Sequence, residues 1–569
     1  METNSQSKTS ETLPTSNIVF LDLEADGLNP TTIHCVVTKR PLEAHLIHTS
    51  KETLRAELSK GGKICGHNII GYDDPVIRRL WGIRIDDSRL MDTLVLSNLF
   101  HPDVDGGHSL NAWGTRLGFP KGEHTDWSQL SDEMIEYCKR DVDVTEKLYN
   151  ALSAQLGMFG FSDHCIELEH SVAKICKEQQ DNGFCFDKEG AQELYEELTS
   201  RMIRIEKDLQ AVFPPIIEER FSDKTHKKLK DKVTVFNVGS RQQIADRLAD
   251  KGAVWKELTP SGKPKVDEGT LKKQGHIPEA KIILRYLLCQ KRASQVDSWI
   301  KAVSEDGRIH GRVRHIGAVT GRMSHSNPNL AQVPAVSAEY GERCRSLFGV
   351  PEGRVLVGAD ASGLELRMLA HYMNSEAYTK ELLEGDIHTL NQELAGLRTR
   401  AQAKTFIYAF LYGAGDVKIG SIVRGEDCSE KAKRSAGKEA RSKFLSRVGS
   451  LRNLKQTVSQ EAASGFVTGL DGRRIRVRSE HAALNTLLQG AGAVVMKQAI
   501  IILYDLLDNV DFKLVAQVHD EWQIECKPDD ADFIGRSCVN AMMFAGETLN
   551  LNCPLDGEYK IGNNWAETH

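Results

Sequence analysis

The chain has 569 residues, 40% hydrophobic and 27% charged, with a formal net charge of −6. That composition belongs to a folded globular protein and excludes a mainly disordered chain, and the length leaves room for several domains. No unbroken apolar run approaches the ~18 residues of a membrane span, since the longest apolar stretch is interrupted by Lys497 and Gln498. The negative sum lacks the basic footprint typical of a nucleic-acid binder.

Residues 1–16 are rich in Ser and Thr, with no apolar core and no arginine. They read as a disordered lead rather than a secretory signal or transit peptide, which places the protein in the cytoplasm. The twelve cysteines form no C-x-x-C pair and read as buried thiols in a reducing compartment, not as a disulfide framework or zinc site. Structure begins at Asn17, where an apolar run enters Asp22-Leu23-Glu24 and is broken by Gly27, Asn29 and Pro30, the pattern of a strand running into a turn. Short strands and helices alternate from there to about Tyr149, as in a compact α/β domain. A helical pattern covers 165–209. Pro214-Pro215 ends it, and the polar, lysine-rich stretch 218–232 reads as a loop or mobile tip. Helices resume at 241–248 and 280–294, and strands at 307–319. Beyond Arg354 the order is strand, helix, helix, then strands again.

Asp22 and Glu24 lie two apart on the first strand, so both side chains share one face. They are a minimal oxygen-rich site for Mg2+ or Mn2+, although a solvated turn has the same pattern. Asp73, after Tyr72 in 68–73, adds a third acid. Tyr137 and Asp141 are four apart and adjacent on a helix face. In this order and spacing the segments resemble the three motifs of the DEDD-type 3′→5′ exonucleases, in the subclass whose third motif carries tyrosine. The resemblance implies a ribonuclease H-like fold and two-metal phosphodiester hydrolysis, with Asp22, Glu24, Asp73 and Asp141 as metal ligands and Tyr137 orienting the attacking water. Asn68 and Asp92 read equally well as supporting polar groups or as structural ones.

A second set lies downstream. The apolar strand 355–359 ends in Asp360, and 514–524 reads as two short strands around a tight polar turn that exposes Asp520 and Glu521 at its tip. Arg400, Lys404, Tyr408 and Tyr412, spaced by four, form one helical stripe. An amphipathic surface helix would show the same stripe, but two cations followed by two aromatics also suit a triphosphate capped by a base. With Thr320-Gly321-Arg322, the segment 327–334, and the segments 385–389 and 485–490, these residues resemble the family A DNA polymerases over nearly the whole chain. The replicative enzymes of short-tailed, thioredoxin-recruiting coliphages are the nearest group.

The resemblance implies an α/β and α+β multidomain protein. An exonuclease domain at 17–160 precedes a right-hand polymerase domain at 161–569, with thumb 161–300, palm 301–395 and 465–569, and fingers 396–464. It makes Asp360, Asp520 and the Ala361 carbonyl ligands of two Mg2+ or Mn2+ ions, with Glu521 close by. Arg400, Lys404 and His388 take the phosphates of a dNTP, Tyr408 the sugar and Tyr412 the templating base. Glu365 sits below the sugar, hydrogen-bonds the motif tyrosine and excludes a ribose 2′-hydroxyl. Arg322, Gln332, His481, Asn485 and Gln489 contact primer–template DNA, or serve structure alone. Replisome partners of the helicase–primase and single-strand-binding kinds follow from a replicative role in a phage-infected cell.

Two departures matter. Only the 16-residue tail precedes the exonuclease, so no 5′-nuclease domain is expected. The interval matching the thioredoxin-binding insertion holds 22 residues between Phe213 and Phe236. Its Lys224, Lys227, Lys228, Lys230 and Lys232 suit duplex phosphates, and thioredoxin is expected not to bind. The competing readings are a single-subunit RNA polymerase, a repair or translesion polymerase, and a DNA-binding scaffold with degenerate sites. The net charge is no obstacle to DNA binding, because positive charge is concentrated locally. Glu430–Arg447 holds seven Lys or Arg against two Glu, and Arg473, Arg474, Arg476 and Arg478 are clustered.

Overall fold

In the computed structural model, which describes residues 17–159, 161–426 and 428–569, the first strands form a mixed five-stranded sheet. Its strands are β1 (Ile18–Ala25), β2 (Ile33–Lys39), β3 (Leu46–His48), β4 (Lys63–Gly66) and β5 (Leu90–Asp92), in the order β3-β2-β1-β4-β5. β1 pairs antiparallel with β2 and parallel with β4. Alternation along β1 sends Ile18 and Phe20 into a core with Cys138, Val142 and Leu148 of the helix Asp132–Phe159. Leu21 and Leu23 face the opposite core, with Val76 and Ile77 of the helix Asp73–Trp81. Asp22 and Glu24 continue the face of Ile18 and Phe20, so the strand period aims both acids at the long helix. The tail expected at 1–16 lies outside the described residues.

The stretch read as one helical run over 165–209 is two helices. Asp163–Asn182 ends at Gly183, whose φ of 60° suits a residue without Cβ. Phe184–Phe186 then enters a small sheet, and Asp187 caps Lys188–Val212 by accepting from Gly190 N. The first of these helices, assigned from sequence to the thumb, packs between the N-terminal sheet and the palm. Its Asn182 donates to Leu514 O (3.1 Å), and Gln179 accepts from Gln517 (3.0 Å). The rest of the segment expected to form the thumb is the helix pair Lys188–Val212 and Pro278–Ala302 with a small core at its tip.

The lysine-rich interval read as a loop is an antiparallel ribbon, Ile216–Glu218 against Lys232–Thr234. Lys232 pairs with Glu218 (2.9 Å) and Lys228 with Glu219 (2.6 Å), so part of the positive charge expected to meet phosphates is neutralised within the ribbon. Ile217, Phe221 and Val233 point outward, each more than half exposed.

The palm sheet has four antiparallel strands, ordered Phe512–Val518, Glu521–Cys526, Val355–Ala361 and Gly557–Gly562. The helices Ala483–Leu506 and Ala531–Thr548 contribute to the core beneath it. By length and composition the segment Glu480–Leu506 could cross a membrane, but most of its apolar window is buried in the protein core. The fingers are built on Phe406, Phe410 and Phe444, whose rings meet at 5.4–6.0 Å. The helix Ile387–Ala395, counted with the palm from sequence, packs with these finger helices instead. All twelve cysteines are unpaired thiols.

A buried charge cluster ties the two halves together. Glu169, fully buried, accepts from Lys497 (2.7 Å), Arg473 (2.6 Å) and His315 (2.9 Å), and Arg473 also pairs with Asp471 (2.6 Å). Burial pushes the Glu169 carboxyl up, but Lys497, Arg473 and His315 hold it below the usual carboxylate range.

Candidate functional site

The structure gathers Asp22, Glu24, Asp73 and Asp141 where β1 meets the helices Asp73–Trp81 and Asp132–Phe159. Asp22, Glu24 and Cys138 offer donor atoms that all lie within 4.8 Å of one another. Burial raises all four carboxyls. Glu24 is pushed to about 8 by burial and then by Asp141, Asp73 to about 7, and Asp141 to about 6. Asp22 is raised well above its ordinary value by burial, then by Asp141, Glu24 and Asp73. Asp141 Oδ1 is buried without a hydrogen-bond partner, and its Oδ2 meets Lys121 Nζ at 2.5 Å. Crowded hard oxygens, one of them orphaned, form a donor set suited to divalent cations.

Tyr137 packs against His124 and Trp127 with ring centroids 5.8 and 5.6 Å away, and Lys121 Nζ stands 4.7 Å from its ring centre. Sequence reading missed Lys121, which lies in the irregular segment 119–127 with no periodicity to mark it. Asp92 is a positioning group. It accepts from Asn68 N (2.8 Å), Ile70 N (3.1 Å) and Leu94 N (2.8 Å) and so fixes the turn that leads into Asp73.

At the second site Asp360, next to last in its strand, is in register with Glu521, and Ala361 N donates to Asp520 O (3.1 Å). Asp520 sits in the turn after His519, whose φ is 60°. Burial, then Asp520 and Glu521, pushes Asp360 up to about 7, and burial also raises Asp520. Glu521 is not at an exposed tip, as the sequence led us to expect. It is buried and accepts from Trp565, Gln523 (2.7 Å) and Arg345 (3.5 Å), with His569 Nδ1 at 3.1 Å. Burial raises its carboxyl, but these partners hold it below its ordinary value. The strand alternates its side chains, so Glu521 turns inward from the adjacent turn residue Asp520.

The helix Arg400–Leu411, capped by Thr399, presents Arg400 and Lys404 as exposed cations, with Tyr408 half-buried and Tyr412 just past the last turn. Arg400 pairs with Asp386 (2.6 Å), the N-cap of the helix that carries His388. The His388 ring lies 6.5 Å from that of Tyr408, and its Nδ1 is buried and unpartnered. Glu365 accepts from Tyr412 and from Arg322 (3.3 Å), so Tyr412 is the tyrosine it holds.

The remaining predicted DNA contacts separate into groups. His481 is exposed beside Lys455 and Arg441 on a cavity of about 410 Å3. Asn485 and Gln489 follow on the helix Ala483–Leu506. Gln332 lines a different cavity, with Asn327 and Lys301.

The sequence profile of DNA polymerase family A matches residues 217–567. The DNA-directed DNA polymerase of Escherichia phage T7 is 34% identical, with 97% of this chain and 100% of that protein covered. The enzyme of the same description from Enterobacteria phage T3 is 34% identical over 96% of this chain and 99% of that one. DNA polymerase I of Aquifex aeolicus is 25% identical over 91% and 90%. The fold is shared with the polymerase domain of Pol1 from M. smegmatis, solved in complex with DNA primer-template and dNTP. The TM-score is 0.79 at 20% identity, covering 96% of this chain and 95% of that one. With a profile match over most of the chain and two phage polymerases aligned along nearly all of it, this chain belongs to DNA polymerase family A and is a DNA-directed DNA polymerase.

Proposed function

We propose that the chain extends a primer 3′-hydroxyl on a DNA template with dNTPs, and removes mismatched 3′ ends at a separate exonuclease site, in a phage-type replicative role. The observation that carries this reading is the presence of two carboxylate centres in one chain: Asp360 and Asp520 on the palm sheet, and Asp22, Glu24, Asp73 and Asp141 on the N-terminal sheet. The two phage relatives and the primer-template bound to the M. smegmatis neighbour support it.

Asp360, Asp520 and the Ala361 carbonyl would hold divalent cations at the polymerase centre, and the four N-terminal acids would hold them at the other. Mg2+ or Mn2+, two per site, supplies activation of the attacking oxygen and charge neutralisation of the leaving group. In polymerisation the 3′-hydroxyl oxygen bonds to the α-phosphorus as the bond to pyrophosphate breaks. Arg400, Lys404 and His388 orient the triphosphate and neutralise its charge. Glu365, held by Tyr412 and Arg322, forms the floor that a 2′-hydroxyl would strike. At the other centre Tyr137 orients the attacking water, and Lys121, beside Asp141, adds positive charge to the scissile phosphate.

Extension of matched and mismatched primers by three proteins tests this reading. The wild type removes the mismatch and then extends. Asp22→Ala extends matched primers at the wild-type rate but loses mismatch removal by about 10³-fold. Asp520→Ala shows the reverse. Equal mismatch removal by the wild type and Asp22→Ala would overturn the proofreading assignment.

A further inference from the structure

A cavity of about 880 Å3 joins the exonuclease acids to a part of the polymerase body that no motif marked. One side is lined by Asp22, Asp141 and Lys121, the other by Lys177, Arg312 and Arg314. Arg312 and Arg314 lie on the strand Arg312–Arg314, which pairs with Ser324–Ser326 in a two-stranded ribbon. The register sets Arg312 against Ser326 and Arg314 against Ser324, with Val313 against His325.

Side chains alternate across such a ribbon, so the arginines and serines share one face and Val313 and His325 the other. Val313 is buried in the polymerase core, and His325 lies beside His519 of the palm turn. The arginine face is exposed toward the cavity, where Arg314 donates to Asn98 of the N-terminal domain (3.3 Å). Arg322, just before the second strand, bonds Glu365 at the polymerase centre. One short ribbon thus touches the polymerase site at one end and opens a cationic face on the exonuclease cavity.

We propose that Arg312 and Arg314, with Lys177, bind the phosphates of the unpaired 3′-terminal strand and deliver its end to Asp22, Glu24, Asp73 and Asp141. The ligand is single-stranded DNA of a few nucleotides, and the arginines are positioning residues for hydrolysis. The proposal rests on the exonuclease reading above. It is argued from charge complementarity: Asp22 and Asp141 in the cavity lining to hold cations, and the guanidinium groups of Arg312 and Arg314 in the same lining to hold the phosphates that lead there.

The test uses the full chain with Arg312→Gln and Arg314→Gln combined, and the Lys–Lys pair as the conservative partner. Hydrolysis of single-stranded oligonucleotides is followed across a salt series. We expect KM to rise about tenfold, and the slope of log KM against log salt to shrink by about 1.4, two phosphate contacts on a single strand. We expect kcat to hold and the lysine pair to recover most of KM. Extension of a matched primer reports the fold and the polymerase site and stays unchanged. Unaltered KM and salt slope in the glutamine pair overturn the proposal. So does a parallel loss of matched-primer extension, which would make the ribbon a duplex contact. Absence of hydrolysis in the wild type sinks the exonuclease reading itself and is distinguished by comparison with Asp22→Ala.

Discussion

At Glu365 one carboxylate oxygen, Oε1, accepts from two neighbours, Tyr412 and Arg322. Glu365→Ala removes both anchors along with the wall itself, so discrimination against rNTPs falls by at least about tenfold, measured as the ratio of kcat/KM for dNTP and rNTP. An unchanged ratio would remove Glu365 from sugar selection. Tyr408 has no such bond to Glu365, so Tyr408→Phe leaves this ratio in place; the resemblance to the family predicts that it sharpens discrimination against ddNTPs instead. The acids were legible through the resemblance of their segments to known motifs, while period alone put only Asp22 with Glu24, and Tyr137 with Asp141, on a shared face. The sequence could not disclose Lys121, Trp565 or Arg345, since each reaches its carboxylate from a distant segment through tertiary packing.

Among the elements, the finger helices Asp416–Arg424 and Glu430–Arg447 cross where two glycines meet the opposite backbone. A Cβ built on Gly437 would lie 1.9 Å from Asp416 O, and one on Gly420 would lie 1.7 Å from Lys433 O. Gly437→Ala therefore forces the helices apart and destabilises the fingers by about 1–3 kcal/mol. Reduced protection of the helix Arg400–Leu411 in hydrogen exchange, with the palm unaffected, is the expected signature. The alternation of strand and helix was readable from sequence, but the break at Gly183 and the ribbon in 216–234 were not. A single glycine inside a strong helical pattern carries little weight. The ribbon is mostly exposed, with few of the buried apolar positions by which a strand announces itself. The interval of 22 residues that this ribbon occupies carries the expectation that thioredoxin is not recruited through a dedicated subdomain. Primer extension with a trap should yield products of the same length with and without thioredoxin, and longer products on its addition would refute the expectation.

Across the whole molecule, stability should depend on acid-sensitive histidines. Burial holds His67 down to about 3 and His108, His170 and His325 each to about 4. His170 illustrates the cause: its Nε2 accepts from Asp92 N (2.9 Å) and its Nδ1 lies 2.8 Å from Ile166 O, which requires the neutral ring. At these histidines the unfolded chain binds protons near pH 6.5 while the folded chain does not. The stabilisation they contribute is therefore complete above about 6.5 and is lost as pH falls toward 4, opposed by Glu24, Asp73 and Asp360, whose raised carboxyls take up protons in the folded chain first. The melting-temperature difference between the wild type and His170→Gln should therefore narrow by on the order of 2 °C between pH 7 and pH 5. A difference that is indifferent to pH over this range would contradict it.

The Glu169 cluster belongs to the same scale. Glu169→Gln leaves Lys497 and Arg473 buried with their shared counter-charge gone and should cost about 3–5 kcal/mol, read by denaturant unfolding. The cluster has a practical consequence for dissecting the protein by limited proteolysis. The helix Asp163–Asn182 supplies Glu169 to the palm side and His170 to the strand end at Asp92, and Ser162 just before it donates to Asp471 O (3.0 Å). Cleavage ahead of Ser162 takes from the N-terminal fragment the histidine that covers Asp92. Cleavage after Asn182 leaves Lys497 in the C-terminal fragment without Glu169, while Arg473 keeps only Asp471. The two halves share one helix, so neither should survive as a stable fragment when the other is removed.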